Sequence, residues 1–181
     1  MQKTLRELDP LSAKKRWPML RIGVGLNCGT MSVGDMGSHF RRSYTVMGDA
    51  VNLASRLEDL TKEYGVGVLV SENIVRAVQD FVYREVDKVR VKGKQEGVAI
   101  FEPIGAQGEV GAETLAEIAH FHRALAHFRE QRWDEAEALL KELAAAAPAV
   151  KLYRLYGERI AHFRASPPGA DWHGVFGFST K

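Results

Sequence analysis

The chain has 181 residues, 45% of them hydrophobic, which is enough for one domain with a buried core and an appendage. Its formal net charge of +2, with 27% charged residues, produces no strong electrostatic field, so the composition does not suggest a nucleic-acid partner. The single cysteine, Cys28, excludes a disulfide within the chain and is typical of a reducing cytoplasm. The sequence contains no run of about 18 apolar residues that would predict a membrane span, and its first residues lack the apolar centre of a signal peptide.

The first elements are a helical pattern and a strand with two different faces. Residues 3–17 carry leucines at helical spacing, interrupted by Pro10, and predict the end of a helix. In residues 20–28, apolar side chains alternate with polar or small ones, which is typical of a half-buried strand. One face of this strand carries Gly23 and Gly25, and bare backbone lets a ligand or a second backbone approach closely. We therefore predict that the glycine face is a contact surface.

A second short strand leads into the most strongly patterned helix of the chain. Residues 43–47 predict the strand, which ends at Gly48 and Asp49. Beyond them, Asn52 and Arg56 lie one turn apart on the polar face of an amphipathic helix. The opposite, apolar stripe comprises Ala50, Leu53, Ala54, Leu57, Leu60, Thr61 and Tyr64.

Residues 65–77 are interpreted as scaffold, and a pair of strands follows them. Residues 66–70 predict a strand, and Ser71 is placed as the cap of a short helix after it. Residues 81–91 predict a strand that ends in the turn Lys92-Gly93-Lys94, and the chain returns as a strand over residues 98–103.

Glycines at residues 105–113 predict a linker, and the sequence beyond them is almost wholly helical. Thr114 and Glu117 predict a capping box that opens a helix ending near residue 131; further helices are predicted over residues 133–146 and 150–164, followed by an extended tail. The first two resemble one tetratricopeptide repeat, which cannot bury its apolar face alone. We expect this extension to pack on the preceding domain or on a protein partner, and a purely structural cap is about as well supported as a binding role.

Four ordered blocks carry a family resemblance. The run YTVMGDAVNLASRLE at residues 44–58 resembles the signature of class III nucleotide cyclases, which convert ATP or GTP to the 3′,5′-cyclic nucleotide and pyrophosphate. The glycine-rich strand precedes it, and VKGK and VAIFEPI follow it. The resemblance implies an α/β (α+β) fold, a partial ferredoxin-like cyclase palm over residues 1–104, with a linker over 105–113 and the helical extension and tail over 114–181.

The resemblance also implies roles for individual residues. Asn52 matches the asparagine that orients the ribose, and Arg56 matches the arginine that stabilises charge developing on the α-phosphate, a role suited to an always-charged planar fork of donors. The alternatives are a helix-surface amide for Asn52 and a surface salt bridge from Arg56 to Asp59 or Asp49.

Two further residues are implied in substrate binding. Thr45 occupies the position that contacts the purine, which favours ATP modestly over GTP; the alternative is an ordinary strand residue. Lys92 resembles the lysine that reaches the terminal phosphates, with Lys94 as the other candidate and a solvated hairpin tip as the alternative.

The family's two metal-binding aspartates have no counterpart in these residues. Asp35 and Asp49 match neither position, so the carboxylates that hold Mg or Mn in the complete enzyme are expected upstream of Met1. The chain is accordingly interpreted as the C-terminal part of a cyclase catalytic domain, inactive by itself and with no cofactor of its own.

The resemblance finally implies partners and a setting. Class III catalytic domains meet head to tail, so ATP and a second copy of the domain are the expected partners. The setting is a cytoplasmic domain of a bacterial sensor-linked cyclase whose parent protein is anchored in the inner membrane. The alternative is a non-catalytic module that binds a protein through the helical extension. For the isolated chain, we expect an oligomer formed through the exposed edge of the strand at residues 20–28.

Overall fold

The computed structural model describes residues 2–18, 20–38, 40–90, 97–169, 172 and 174–175. The elements in chain order are α1 (Gln2–Lys15), β1 (Val24–Leu26), β2 (Ser32–Ser38), β3 (Arg41–Met47), α2 (Asp49–Tyr64), β4 (Val68–Ser71), α3 (Glu72–Ala77), β5 (Phe81–Arg90), β6 (Gly97–Ala106), α4 (Ala112–Arg129), α5 (Trp133–Ala146) and α6 (Lys151–Ala165). The chain thus has the mixed α/β architecture that was predicted.

Four strands form one sheet, and two form a separate hairpin. The order in the sheet is β1-β4-β6-β5, with β1 parallel to β4 and the other neighbours antiparallel. Strand β1 therefore lies at one edge of this sheet and β5 at the other. Strands β2 and β3 pair only with each other in the described part of the chain.

The glycine face of β1 packs against helix α2. A side chain at Gly25 would place its Cβ 2.1 Å from the carbonyl oxygen of Ala54, and one at Gly23 would lie 2.1 Å from Oγ1 of Thr61. The contact surface predicted for this face is therefore filled by a second backbone. The strand itself is shorter than the predicted residues 20–28, because its pairing with β4 spans only Val24 to Leu26.

Helix α2 is buried along the predicted stripe. Its buried residues are Leu53, Leu57, Thr61 and Tyr64. The C-cap that follows the helix is Gly65, whose φ of 69° is the left-handed conformation that glycine adopts without strain. The same core continues into the helical extension, where it includes Phe121, Tyr156 and Ile160.

Several predicted boundaries and caps were wrong. Strand β2 was not predicted, and β3 begins at Arg41 rather than at residue 43 because it pairs with β2 along its whole length. The predicted linker is shorter at both ends: β6 continues to Ala106, which pairs with the first residue of β5, and α4 begins at Ala112.

None of the three predicted capping side chains caps its helix. Helix α4 has Gly111 at its N-cap, and Glu117 instead accepts a hydrogen bond from the hydroxyl of Tyr153. Ser71 stands at the N-cap of α3, but its hydroxyl donates to Oδ1 of Asn27 at 2.5 Å. Both polar groups serve long-range contacts in place of local ones.

The helical extension covers the free edge of β5. The backbone N–H of Glu85 donates to Nε2 of His122 on α4 at 2.9 Å, and the hydroxyl of Tyr156 on α6 donates to the carbonyl of Val86 at 2.8 Å. Side chains from two helices thus satisfy edge groups that would otherwise be open to pairing with another strand.

Within the described ranges, none of the helices combines the length and the apolar character that crossing a lipid bilayer requires.

Candidate functional site

Helix α2 presents Asn52 and Arg56 on its outer face. Both residues are exposed, whereas Leu53 and Leu57, one position further along the chain, are buried against the sheet. Because the residues are four apart, their side chains lie on adjacent turns of one face. Among the residues that the structure describes, no carboxylate forms an ion pair with Arg56, so the alternative of a salt bridge to Asp59 or Asp49 is not found.

Strand β3 carries Thr45 toward the beginning of α2. Thr45 is exposed and lies opposite Gly34 of β2 in the antiparallel register. The strand ends at Met47, and Gly48, with a φ of 145°, joins it to α2. Such a conformation is open to glycine and strained for other residues, so this junction depends on Gly48. Lys92 and Lys94 lie outside the described residues.

The first turn of α2 is held by Asn27, a residue that sequence reasoning did not single out. Its Nδ2 donates to the carbonyl of Ala50 at 2.9 Å, while its Oδ1 accepts from the Ser71 hydroxyl. One amide therefore ties the end of β1, the end of β4 and the beginning of the helix that carries Asn52. The available signal was a polar amide on the glycine face of a strand, where no solvent-facing role was expected.

The described residues do not provide a site for divalent ions. Asp35 is exposed on β2 opposite Tyr44, and Asp49 is exposed at the first position of α2. In the part of the chain that the structure describes, no three His, Cys, Asp or Glu side chains are grouped closely enough to hold a metal ion. A two-metal reaction needs paired carboxylates, and these side chains do not fit that requirement.

The β2–β3 hairpin carries an exposed apolar surface. Phe40 at its tip is 100% exposed and Tyr44 is 75% exposed. The other members of this surface, which we call the hairpin surface, are Met31, Val33, Val46 and Met47. A two-stranded hairpin is marginally stable without further packing, so an exposed face of this kind favours contact with another chain or segment.

Comparison with known proteins places these features in a family. The family model of the adenylate and guanylate cyclase catalytic domain matches residues 1–101. An adenylate cyclase of Anabaena cylindrica is 43% identical over 95 residues, which are 50% of this chain and 19% of that protein. The terminal-differentiation-specific adenylate cyclase of Dictyostelium discoideum is 43% identical over 110 residues, covering 58% of this chain and 5% of that protein.

Solved structures agree with the sequence comparison. The adenylyl cyclase CyaB from P. aeruginosa superimposes with a TM-score of 0.51 at 28% identity, covering 60% of this chain and 56% of that one. The guanylyl cyclase Cya2 superimposes with a TM-score of 0.50 at 28% identity, covering 61% and 55%. The chain thus spans a fifth or less of the two curated relatives and just over half of each solved chain. With more than half of its residues matched by the family model, the chain belongs to the adenylate and guanylate cyclase catalytic domain family.

Proposed function

We propose that this chain supplies the transition-state side of an adenylate cyclase site, which converts ATP to 3′,5′-cyclic AMP and pyrophosphate in bacterial cyclic-nucleotide signalling. The observation that carries the proposal is the exposure of Asn52 and Arg56 on one face of a helix whose opposite face is fixed to the sheet. Such an arrangement holds the backbone of both residues in place and leaves their side chains open to a substrate, and groups positioned before the reaction are what a phosphoryl transition state requires.

Each residue has a separate task in this proposal. As the 3′-oxygen of the ribose attacks the α-phosphorus and pyrophosphate leaves, the guanidinium of Arg56 donates to the α-phosphate oxygens on which charge grows. The amide of Asn52 holds the ribose, and the hydroxyl of Thr45 contacts the edge of the purine. Lys92, or Lys94 in its place, binds the terminal phosphates.

The metal-binding carboxylates belong to another part of the complete enzyme. Mg or Mn would neutralise the phosphates there, but the described residues do not form such a site. We therefore expect the 181-residue chain by itself to produce no cyclic AMP from Mg-ATP or Mn-ATP.

A second copy of the domain is the proposed partner. In a head-to-tail dimer, one chain contributes carboxylates and the other contributes Asn52 and Arg56, and the hairpin surface offers apolar area for such a contact. In the isolated chain, the exposed edge of β1 offers a second route to association. Size-exclusion chromatography with light scattering tests both routes, because a monomer across the concentration range would contradict them.

The setting proposed for the domain is the cytoplasm of a bacterial cell, in a parent protein anchored in the inner membrane. The tetratricopeptide-like nature of α4–α6 also stays a prediction. The alternative function, a non-catalytic module that binds a protein through α4–α6, competes with the use of the extension's buried side chains in the core shared with the sheet. This alternative would be favoured if the extension bound a protein partner and the complete assembly produced no cyclic AMP.

The test of the proposal is Arg56→Ala in a cyclase assembly that contains this chain together with the metal-binding carboxylates. We expect kcat for cyclic AMP formation to fall by about 10²–10³-fold with a much smaller change in KM, as on removal of other preorganised donors. The matched control is Arg76→Ala, which removes an exposed arginine paired with Glu72 on α3 and should leave kcat unchanged. Wild-type turnover of the Arg56 variant would refute the assignment.

A further inference from the structure

Three buried side chains connect the C-terminal end of α2 to the helical extension. The hydroxyl of Tyr64, the last residue of α2, donates to Oδ2 of Asp87 on β5 at 2.5 Å. One guanidinium nitrogen of Arg159 on α6 donates to the same carboxylate oxygen at 2.6 Å, and the other donates to the Tyr64 hydroxyl at 3.3 Å. Tyr64 is 0% exposed, Asp87 1% and Arg159 3%. We call these three residues the anchor cluster.

The anchor cluster makes further contacts on both sides of its ion pair. The second carboxylate oxygen of Asp87 accepts from the backbone N–H of Lys88 at 2.7 Å. The guanidinium carbon of Arg159 also lies 5.4 Å from the centre of the Tyr64 ring and 5.0 Å from that of Tyr156. A charge pair removed from water is tolerated only with good geometry and further hydrogen bonds, and a planar fork loses little freedom in making them.

A second contact from α6 reaches the same end of α2. Lys151, the first residue of α6, donates from Nζ to the carbonyl of Lys62 at 3.0 Å. A Cβ at Gly65 would lie 2.6 Å from Cβ of Lys151, so the end of α2 and the beginning of α6 are in close contact. The extension therefore contacts the end of α2 at two places on α6: at the first turn, through Lys151, and further along the helix, through Arg159.

From this geometry we infer that Asp87 and Arg159 are positioning residues for α2, through which the helical extension sets the placement of Asn52 and Arg56. The inference deepens the proposed function and rests on it for the roles of those two residues. It gives the extension a task in the reaction that differs from binding a partner.

The dimensions of the helix indicate how much displacement matters. With the first turn held by Asn27 at Ala50, Tyr64 lies about 21 Å and Arg56 about 9 Å along the axis from that support. For a rigid helix that pivots at that support, a lateral shift of about 1 Å at Tyr64 would move the backbone of Arg56 by about 0.4 Å. Catalytic groups need placement within about 0.5 Å, so a small shift at the anchor cluster reaches the tolerance of the site.

The hydrogen bonds of Tyr153 provide a control that distinguishes an effect on the placement of α2 from a general loss of stability. Tyr153 on α6 is 1% exposed; its hydroxyl accepts from Arg84 of β5 at 2.9 Å and donates to Glu117 of α4. It also ties the extension to the sheet by a buried hydroxyl beside a charge pair, yet none of these partners lies on α2. Tyr64→Phe and Tyr153→Phe thus remove the same atom from two similar networks.

The experiment compares these two variants in turnover and in amide hydrogen exchange. In the complete cyclase assembly, Tyr64→Phe should lower kcat by about threefold to tenfold with little change in KM, because a displaced donor loses transition-state contacts; Tyr153→Phe should retain wild-type kcat. The variant Asp87→Leu/Arg159→Met, which leaves no buried charge unpaired, should share the kcat loss of Tyr64→Phe.

Hydrogen exchange on the 181-residue chain provides a readout that needs no turnover. Amides of residues 50–57 should exchange about tenfold faster in Tyr64→Phe than in Tyr153→Phe at equal global stability. Equal kcat for the two tyrosine variants, or equal exchange in residues 50–57, overturns the positioning role. If Arg56→Ala leaves turnover unchanged, the proposed function fails, and the exchange result still decides whether the cluster positions α2.

Discussion

Replacing Arg159 by methionine should be among the most destabilising single substitutions in this chain. The change keeps most of the side-chain volume but removes the cation that faces Asp87, whose side chain is 1% exposed. Asp87 keeps its hydrogen bonds from Tyr64 and from the N–H of Lys88, but its charge has lost its counter-ion at a buried position. Breaking a buried pair in this way costs about 3–5 kcal/mol, a large part of the about 5–15 kcal/mol that stabilises a typical domain.

Urea and thermal unfolding followed by circular dichroism measure this cost. At about 2–4 °C per kcal/mol for a chain of this size, the melting temperature should fall by about 6–20 °C. The double variant Asp87→Leu/Arg159→Met should recover most of the loss, since no buried charge remains unpaired. Arg164→Met on the same helix is the control; Arg164 pairs with Asp134 and Glu137 at a partly exposed site, where ion pairs contribute at most about 1 kcal/mol. A loss below about 1 kcal/mol for Arg159→Met, or a double variant as unstable as the single one, would refute the reasoning.

Three further substitutions test other parts of the structure. Gly25→Ala should destabilise the chain by about 1–3 kcal/mol, because the new Cβ would lie 2.1 Å from the backbone of α2. Gly34→Ala on β2 is the control and should have little effect, since open space surrounds that position. Equal unfolding midpoints for the two variants would contradict the packing of β1 on α2. Thr45→Val keeps the β-branched shape and removes only the hydroxyl. If that hydroxyl contacts the purine, ATP and GTP turnover in the complete assembly should change by different factors, and an equal change would exclude the contact. Burial lowers the pKa of His122, and the charge of Glu85 partly opposes this effect, so the folded state favours the neutral imidazole. The free energy of unfolding should therefore decline as the pH falls from about 6.5, the unfolded value, through the lower folded pKa. His122→Gln keeps an acceptor for the N–H of Glu85 without titrating and should flatten that decline; an unchanged slope in urea titrations would argue against His122 as its source.

Hydrophobic periodicity was sufficient to predict those helices that bury one regular face against their neighbours. The stripe of α2 was predicted from spacing alone, and the predicted bounds of residues 133–146 match α5. The exposure of Asn52 and Arg56 follows from the same pattern, because residues opposite a buried stripe face away from the core.

The separate hairpin could not be predicted because its packing is incomplete. The sequence of β2, SVGDMGS, contains two glycines and no sustained alternation, and its residues are exposed or half-buried. A strand that buries neither face leaves little pattern in the sequence. The strand predicted at residues 20–28 is present but shorter, as Val24–Leu26, because its length is set by β4, which lies far along the chain.

The anchor cluster was hidden by a register shift in the sheet. Along β5, Val86 and Asp87 are both buried although strict alternation would place them on opposite faces, and the pairing with β6 shifts between Glu85 and Asp87. A β-bulge re-aims a side chain in this way, and nothing in the residues 81–91 marks its position.

Arg159 is recognisable in the sequence as a charged residue at an apolar position, but the sequence of the extension alone does not identify its partner. It lies within the buried stripe of α6, which comprises Leu152, Tyr153, Tyr156, Arg159, Ile160 and Phe163. An arginine in an apolar stripe needs a buried counter-charge, and in this chain no acidic residue of α6 occupies the same stripe. The counter-charge therefore had to come from another element, and it comes from β5, beside the end of the helix that carries Asn52 and Arg56. A charged residue within a buried apolar stripe is thus itself evidence that the extension packs on the preceding domain, because the side chain is buried only where another element covers that stripe.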